Sequence, residues 1–142
     1  MKKQIVFLWM VMTLCCWSFK AIEGDSSKND WLLQFNNGDS LKINITQSGC
    51  FSFGADSLVI SKNFGRYYLK HQNTNRQLDS KDIDYLIHFE RRLVEVTKRR
   101  GHCTSTESFV FNYKNEKRIY NDMTCDFMGV QKLFAYLKIA SL

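Results

Sequence analysis

"LDSKDIDYLIHFERRLVEVTKRRG", residues 78 to 101, is the stretch on which the fold turns. Ile83, Leu86, Ile87, Leu93, Val94 and Thr97 recur at intervals of three and four, the stripe of a helix that buries one face. Asp79 or Ser80 stands where a helix is capped, and Asp82 and Asp84 follow in the first turn. Lys98, Arg99 and Arg100 fall in the expected last turn, where cations suit the helix dipole. Gly101 is placed to end the helix in a left-handed conformation.

Before this helix the period is two. "WLLQF" alternates Trp31, Leu33 and Phe35 with Leu32 and Gln34, and "LKINI" alternates Leu41, Ile43 and Ile45 with Lys42 and Asn44. Asn37-Gly38 between them supplies a tight turn. Gly49 interrupts the pattern as a bulge or bend. "CFSF" resumes it, "GADS" turns, "LVISK" is a short apolar strand, "NFG" turns again and "RYYLKHQ" is a further strand. The expectation is a meander of four or five antiparallel strands.

After the helix, "ESFVFNY" and "RIYND" flank the turn "KNEK" and read as a hairpin with one aromatic face. "DFMGVQKLFAYLKIA" then sets Phe127, Val130, Phe134 and Leu137 on one helical face, weakened by Gly129 at a cost of about 1 kcal/mol relative to alanine. Strands, helix, hairpin and helix make an α+β domain. Its antiparallel sheet has about five to seven short strands, and two helices pack on one face. Residues 31–142 form that single domain, preceded by a polar tether over 19–30.

Residues 1–18 read as a signal peptide. Lys2 and Lys3 precede a ten-residue uncharged apolar run, Ile5 to Leu14, too short for the ~20 residues a membrane-spanning helix needs. Cys16 and Ser18 are small residues at the −3 and −1 positions of a cut after Ser18. Cys16 also stands where bacterial lipoproteins attach lipid. "MTLC" before it departs from the usual Leu-small-small pattern, so lipidation is the alternative to free cleavage. Nothing later is apolar for long enough to form a transmembrane segment. The expected location is the periplasm, the envelope or the outside of a bacterium.

Without residues 1–18 the chain keeps 18 basic and 14 acidic side chains, a mild excess that falls short of a nucleic-acid-binding signature. Of its cysteines, Cys50, Cys103 and Cys125 then remain. In an oxidising compartment three cysteines read as one disulfide and one leftover thiol. Cys103 and Cys125 flank the late hairpin. A bond between them closes a loop worth about 3 kcal/mol by chain entropy. Cys50 is then the thiol left free or paired with another chain. The chemical alternative groups His102, Cys103, Cys125 and Asp126 as metal ligands or as an enzyme centre. Their spacing is unlike the close pairs of zinc sites, so no metal and no cofactor is assigned.

No phosphate loop or nucleophile elbow appears, and no catalytic residue is assigned. His71, in a strand, and His88, on the polar side of the helix, are weak general-base candidates. Asp122 and Asp126 read as a turn residue and a helix cap. Asn44-Ile45-Thr46 matches the N-glycosylation acceptor pattern but lies in a predicted strand of a bacterial-looking chain.

The functional expectation is a non-enzymatic binding protein, of the inhibitor or immunity type, that engages an acidic protein partner. Arg91, Arg92, Lys98, Arg99 and Arg100 are its candidate contact residues. A further alternative is a small-ligand site on an aromatic sheet face made by Tyr67, Phe109, Phe111 and Tyr113.

Overall fold

The computed structural model describes residues 30–50 and 53–139. The expected signal peptide, Cys16 and all of the tether except Asp30 lie outside the described residues.

Strand β1 (Ser40–Ser48) sits near the middle of the molecule because its alternation is complete: Leu41, Ile43 and Ile45 are buried while Lys42 is exposed. β2 (Phe53–Asn63) pairs with one edge of β1, and β5 (Thr106–Tyr113) with the other, both antiparallel. β3 (Arg66–His71) and β4 (Thr74–Leu78) extend the sheet beyond β2, and β6 (Glu116–Asp122) extends it beyond β5. The result is one six-stranded antiparallel sheet in the order β4-β3-β2-β1-β5-β6. Helices α1 (Ser80–Thr97) and α2 (Gly129–Leu137) lie on one side of it, as the α+β reading expected.

Between helices and sheet lies a core that includes Ile43, Leu69, Leu93, Phe109, Leu133 and Phe134. Each such side chain contributes roughly 1.5–3 kcal/mol by leaving water. α1 starts with a reciprocal capping box: Asp79 accepts the Asp82 N–H at 2.8 Å, and Asp82 accepts the Asp79 N–H at 3.0 Å. Asp82 also takes both ends of the Arg76 guanidinium, which ties β4 to the helix.

Several local expectations are corrected. "WLLQF" is not a strand: Trp31–Gln34 form a 3-10 turn that buries both Trp31 and Leu32. Tyr67 and Tyr113 donate from their hydroxyls to the carbonyls of Leu32 and Gln34 and pin this turn onto the core. Gly38 takes a positive φ of 91° as expected, but its turn returns to the β2 edge, donating to the Lys62 carbonyl at 2.8 Å. "GADS" does not turn; it lies inside β2, where Asp56 faces the helix side and meets buried His71 at 2.7 Å. β4, "TNRQL", was not expected, since Leu78 is its only apolar residue.

α1 ends at Thr97, with Lys98 as its C-cap, so Arg99 and Arg100 lie past it and exposed Thr97 leaves the apolar stripe. Gly101 does not have a positive φ. It is needed for a different reason: a Cβ there would overlap the backbone carbonyl of Met123. Gly129 is the first residue of α2 and therefore does not interrupt it, while Phe127 is buried ahead of the helix. Met128, not Asp126, is the N-cap.

Candidate functional site

The candidate site is the outward side of α1 together with the residues that follow it. The helix presents Tyr85, His88, Arg92 and Glu95 on successive turns toward the start of α2. Phe127 stacks on Phe89 with ring centroids 5.7 Å apart, and Tyr136 stacks on Tyr85 at 3.6 Å, so α2 and the segment leading into it are each held against α1 by an aromatic pair. Between them runs an open groove of about 480 Å³. Its floor is aromatic, formed by Tyr85, Phe89 and Phe127. Its rim carries Arg92 and Lys132 together with Glu95. Lys132 sits over the Phe127 ring, 5.5 Å from its centroid.

The five expected cations do not act alike. Arg91 is drawn into the structure. Its Nε donates to both oxygens of Asp30 at 3.2 and 3.1 Å, and its Nη2 pairs with Asp30 Oδ2. Asp30 is buried, so this fork neutralises a carboxylate that water does not reach. Hydrogen bonding to Asp30 raises the Arg91 pKa further. Arg92 remains on the surface in an exposed pair with Glu95 at 3.3 Å. Lys98, Arg99 and Arg100 are all exposed and make no ion pair with a described residue. Lys132, outside the five expected cations, joins Arg92 at the groove. Its only sequence signal is its place on the polar side of α2.

Behind the groove lies a second carboxylate. Glu90 is buried, with Oε1 accepting from the Tyr120 hydroxyl at 3.2 Å and from Arg118 at 3.4 Å. Burial pushes the Glu90 carboxyl up to about 7, against the pull of Arg118 and Tyr120. Burial and the neighbouring Glu90 charge push the Tyr120 hydroxyl up to about 12. The Arg118 guanidinium lies 4.0 Å from the centre of the Trp31 ring. Asp30–Arg91 and Glu90–Arg118 thus join the N-terminal turn, α1 and β6 through two buried carboxylates, each met by a partly exposed arginine.

The alternatives fall elsewhere. Cys103 and Cys125 are joined in a disulfide with Cα atoms 5.5 Å apart, so neither sulfur is free to ligate or react. Among the described residues no three metal-ligating side chains cluster, and His102 is exposed. Asp122 organises the turn after β6, accepting from the Thr124 N–H at 2.8 Å and from its hydroxyl at 2.6 Å. The aromatic face of Phe109, Phe111 and Tyr113 is interior: Phe89 of α1 packs on Phe109, Trp31 packs on Phe111 and Tyr113, Phe35 stacks on Tyr113, and Tyr67 lies at the margin. Cys50 is free and exposed. Among the described residues no helix is long and apolar enough to cross a membrane. No family model, no curated protein and no solved structure matches this chain.

Proposed function

We propose that the chain is an exported, non-enzymatic binding protein of the bacterial envelope that docks an acidic protein partner, in the manner of an inhibitor or immunity protein. The observation that carries this reading is the run Lys98-Arg99-Arg100, three exposed cations without an ion-pair partner among the described residues. The run follows directly on the helix that forms the groove. Cations at the end of a helix steer an acidic surface toward it. The aromatic floor of Tyr85, Phe89 and Phe127 then supplies a desolvated seat for an apolar side chain of the partner. Export rests on the Lys-Lys start and the uncharged run Ile5 to Leu14.

The test is the full-length chain expressed in a bacterial host, cross-linked in the envelope, beside a Lys98→Glu, Arg99→Glu, Arg100→Glu variant. The wild type is expected to cross-link one acidic protein that the variant loses, with both proteins melting at the same temperature. Identical cross-linking by both proteins removes the helix end from the function.

A further inference from the structure

The side of the sheet turned away from the helices carries a charge pattern that the sequence does not display. Following the strand registers, one cross-strand line runs Asn75, Lys70, Val59, Lys42, Asn112, Lys117 through all six strands. Lys70, Lys42 and Lys117 are exposed and stand on alternate strands, which sets them ~9.6 Å apart at the usual strand spacing. None of the three makes an ion pair with a described residue. Arg66 adds a fourth exposed cation on β3.

The strand carboxylates all fall on the opposite side. Asp56 is in register with Ile45, Glu107 with Asp122, and Glu116 with Tyr113, which is the helix-facing set in each strand. The open face of the described strands therefore has cations and no acid. An ordinary solvated face mixes the two signs, because opposite charges across neighbouring strands stabilise the sheet. Here that stabilisation is absent, and the field above the sheet is of one sign.

The neutral residues say what kind of anion fits. Around the lysine line lie Asn44, Ser57, Thr46 and Ser108, short side chains that donate and accept hydrogen bonds. The large apolar side chains of this face are few and dispersed: Val59 stands in the line itself, Val110 and Ile119 are a neighbouring pair on β5 and β6, and exposed Phe53 lies apart at the start of β2. Protein interfaces are built the other way, with aromatic residues and arginine enriched and lysine and serine depleted. Hydroxyl-bonding groups between evenly spaced cations suit a polymer of hydroxylated rings with evenly spaced anions. The lysine interval is close to the length of one disaccharide in an extended glycan. Tyr68, facing the same side in register with Ser61 and Gln77, offers a ring on which a sugar can stack.

We propose that this open sheet face binds a linear anionic polysaccharide, one that carries a carboxylate or sulfate on each disaccharide and lies across the strands along Lys70, Lys42 and Lys117.

Heparin oligosaccharide is the probe, titrated calorimetrically into the full-length chain at several salt concentrations, with poly-glutamate and neutral dextran as comparisons. Two variants are tested alongside: Lys42→Ser, Lys70→Ser, Lys117→Ser on the sheet, and Lys98→Ser, Arg99→Ser, Arg100→Ser at the helix end. The wild type is expected to bind heparin, to ignore dextran, and to bind poly-glutamate about tenfold more weakly or less. Neutralising the sheet lysines should lower heparin affinity about tenfold or more and reduce the salt dependence by roughly three released counterions. The helix-end variant should keep nearly all of the affinity. Tyr68→Ala should weaken binding without changing the salt dependence. The idea is overturned by absence of binding at low salt, by equal losses in the two triple variants, or by poly-glutamate binding as tightly as heparin.

Discussion

Arg91 and Arg92 are neighbours in the chain and have opposite fates, and the difference lies entirely in Asp30. Removing the Arg91 guanidinium strands a buried carboxylate. Arg91→Ala should therefore destabilise the fold by about 2 kcal/mol, below the usual cost of breaking a fully buried pair because the arginine is itself partly in water. Asp30→Asn should cost less, since the cation left behind can be solvated. In the Arg91→Ala background Asp30→Asn should restore stability, and urea unfolding of the four proteins reads all three claims. Glu90 gives a prediction in pH. Its folded pKa is raised above the ordinary carboxylate value to about 7, so the folded state holds a proton that the unfolded state has lost. Stability should then fall as pH rises from about 4.5 to 7 and stay lowered above that. Glu90→Gln should be more stable than the wild type at pH 8, by up to about 3 kcal/mol, with the difference closing toward pH 5. Thermal melts of both proteins across that range check the sign.

At the scale of single elements, legibility followed the strength of the periodic signal. α1 was readable because its apolar stripe and its Asp79 cap agree over eighteen residues, although the expected stop at Gly101 falls past its end. "WLLQF" was misread because five residues alternate by chance, while tyrosine hydroxyls from β3 and β5 hold them as a 3-10 turn. "GADS" looked like a turn until Asp56 found His71 across β2 and β3, a pairing no local pattern announces. The candidate site was half legible for the same reason: the cations were visible, but which of them stay free depends on carboxylates from distant segments. Gly101 is conspicuous in the sequence as a helix stop, but what requires it is the close approach of a second backbone segment. Residues 101–103 lie directly against 123–125, with the Cys103 N–H bonded to the Met123 carbonyl at 3.1 Å. Gly101→Ala should push those segments apart and cost about 2–4 kcal/mol, measured by denaturant unfolding of the oxidised protein. An ordinary helix-ending glycine in the left-handed region would lose less.

Across the whole molecule the disulfide joins residues 22 apart in the chain, closing the β5–β6 hairpin onto the segment that leads into α2. Cys103→Ser with Cys125→Ser should cost about 3 kcal/mol and lower the melting temperature by roughly 10 °C, read by calorimetry. Sheet order has a consequence of another kind. β1 precedes the other described strands in the chain, yet its second edge is closed by β5, which arrives only after the long helix. A chain delivered N-terminus first completes β1 to β4 and α1 while Leu41, Ile43 and Ile45 still border an open edge. Such an edge is a template for any other strand nearby. The last third of the sequence thus acts as the molecule's own chaperone, and every newly arriving copy passes through an interval in which its neighbours are its chief hazard.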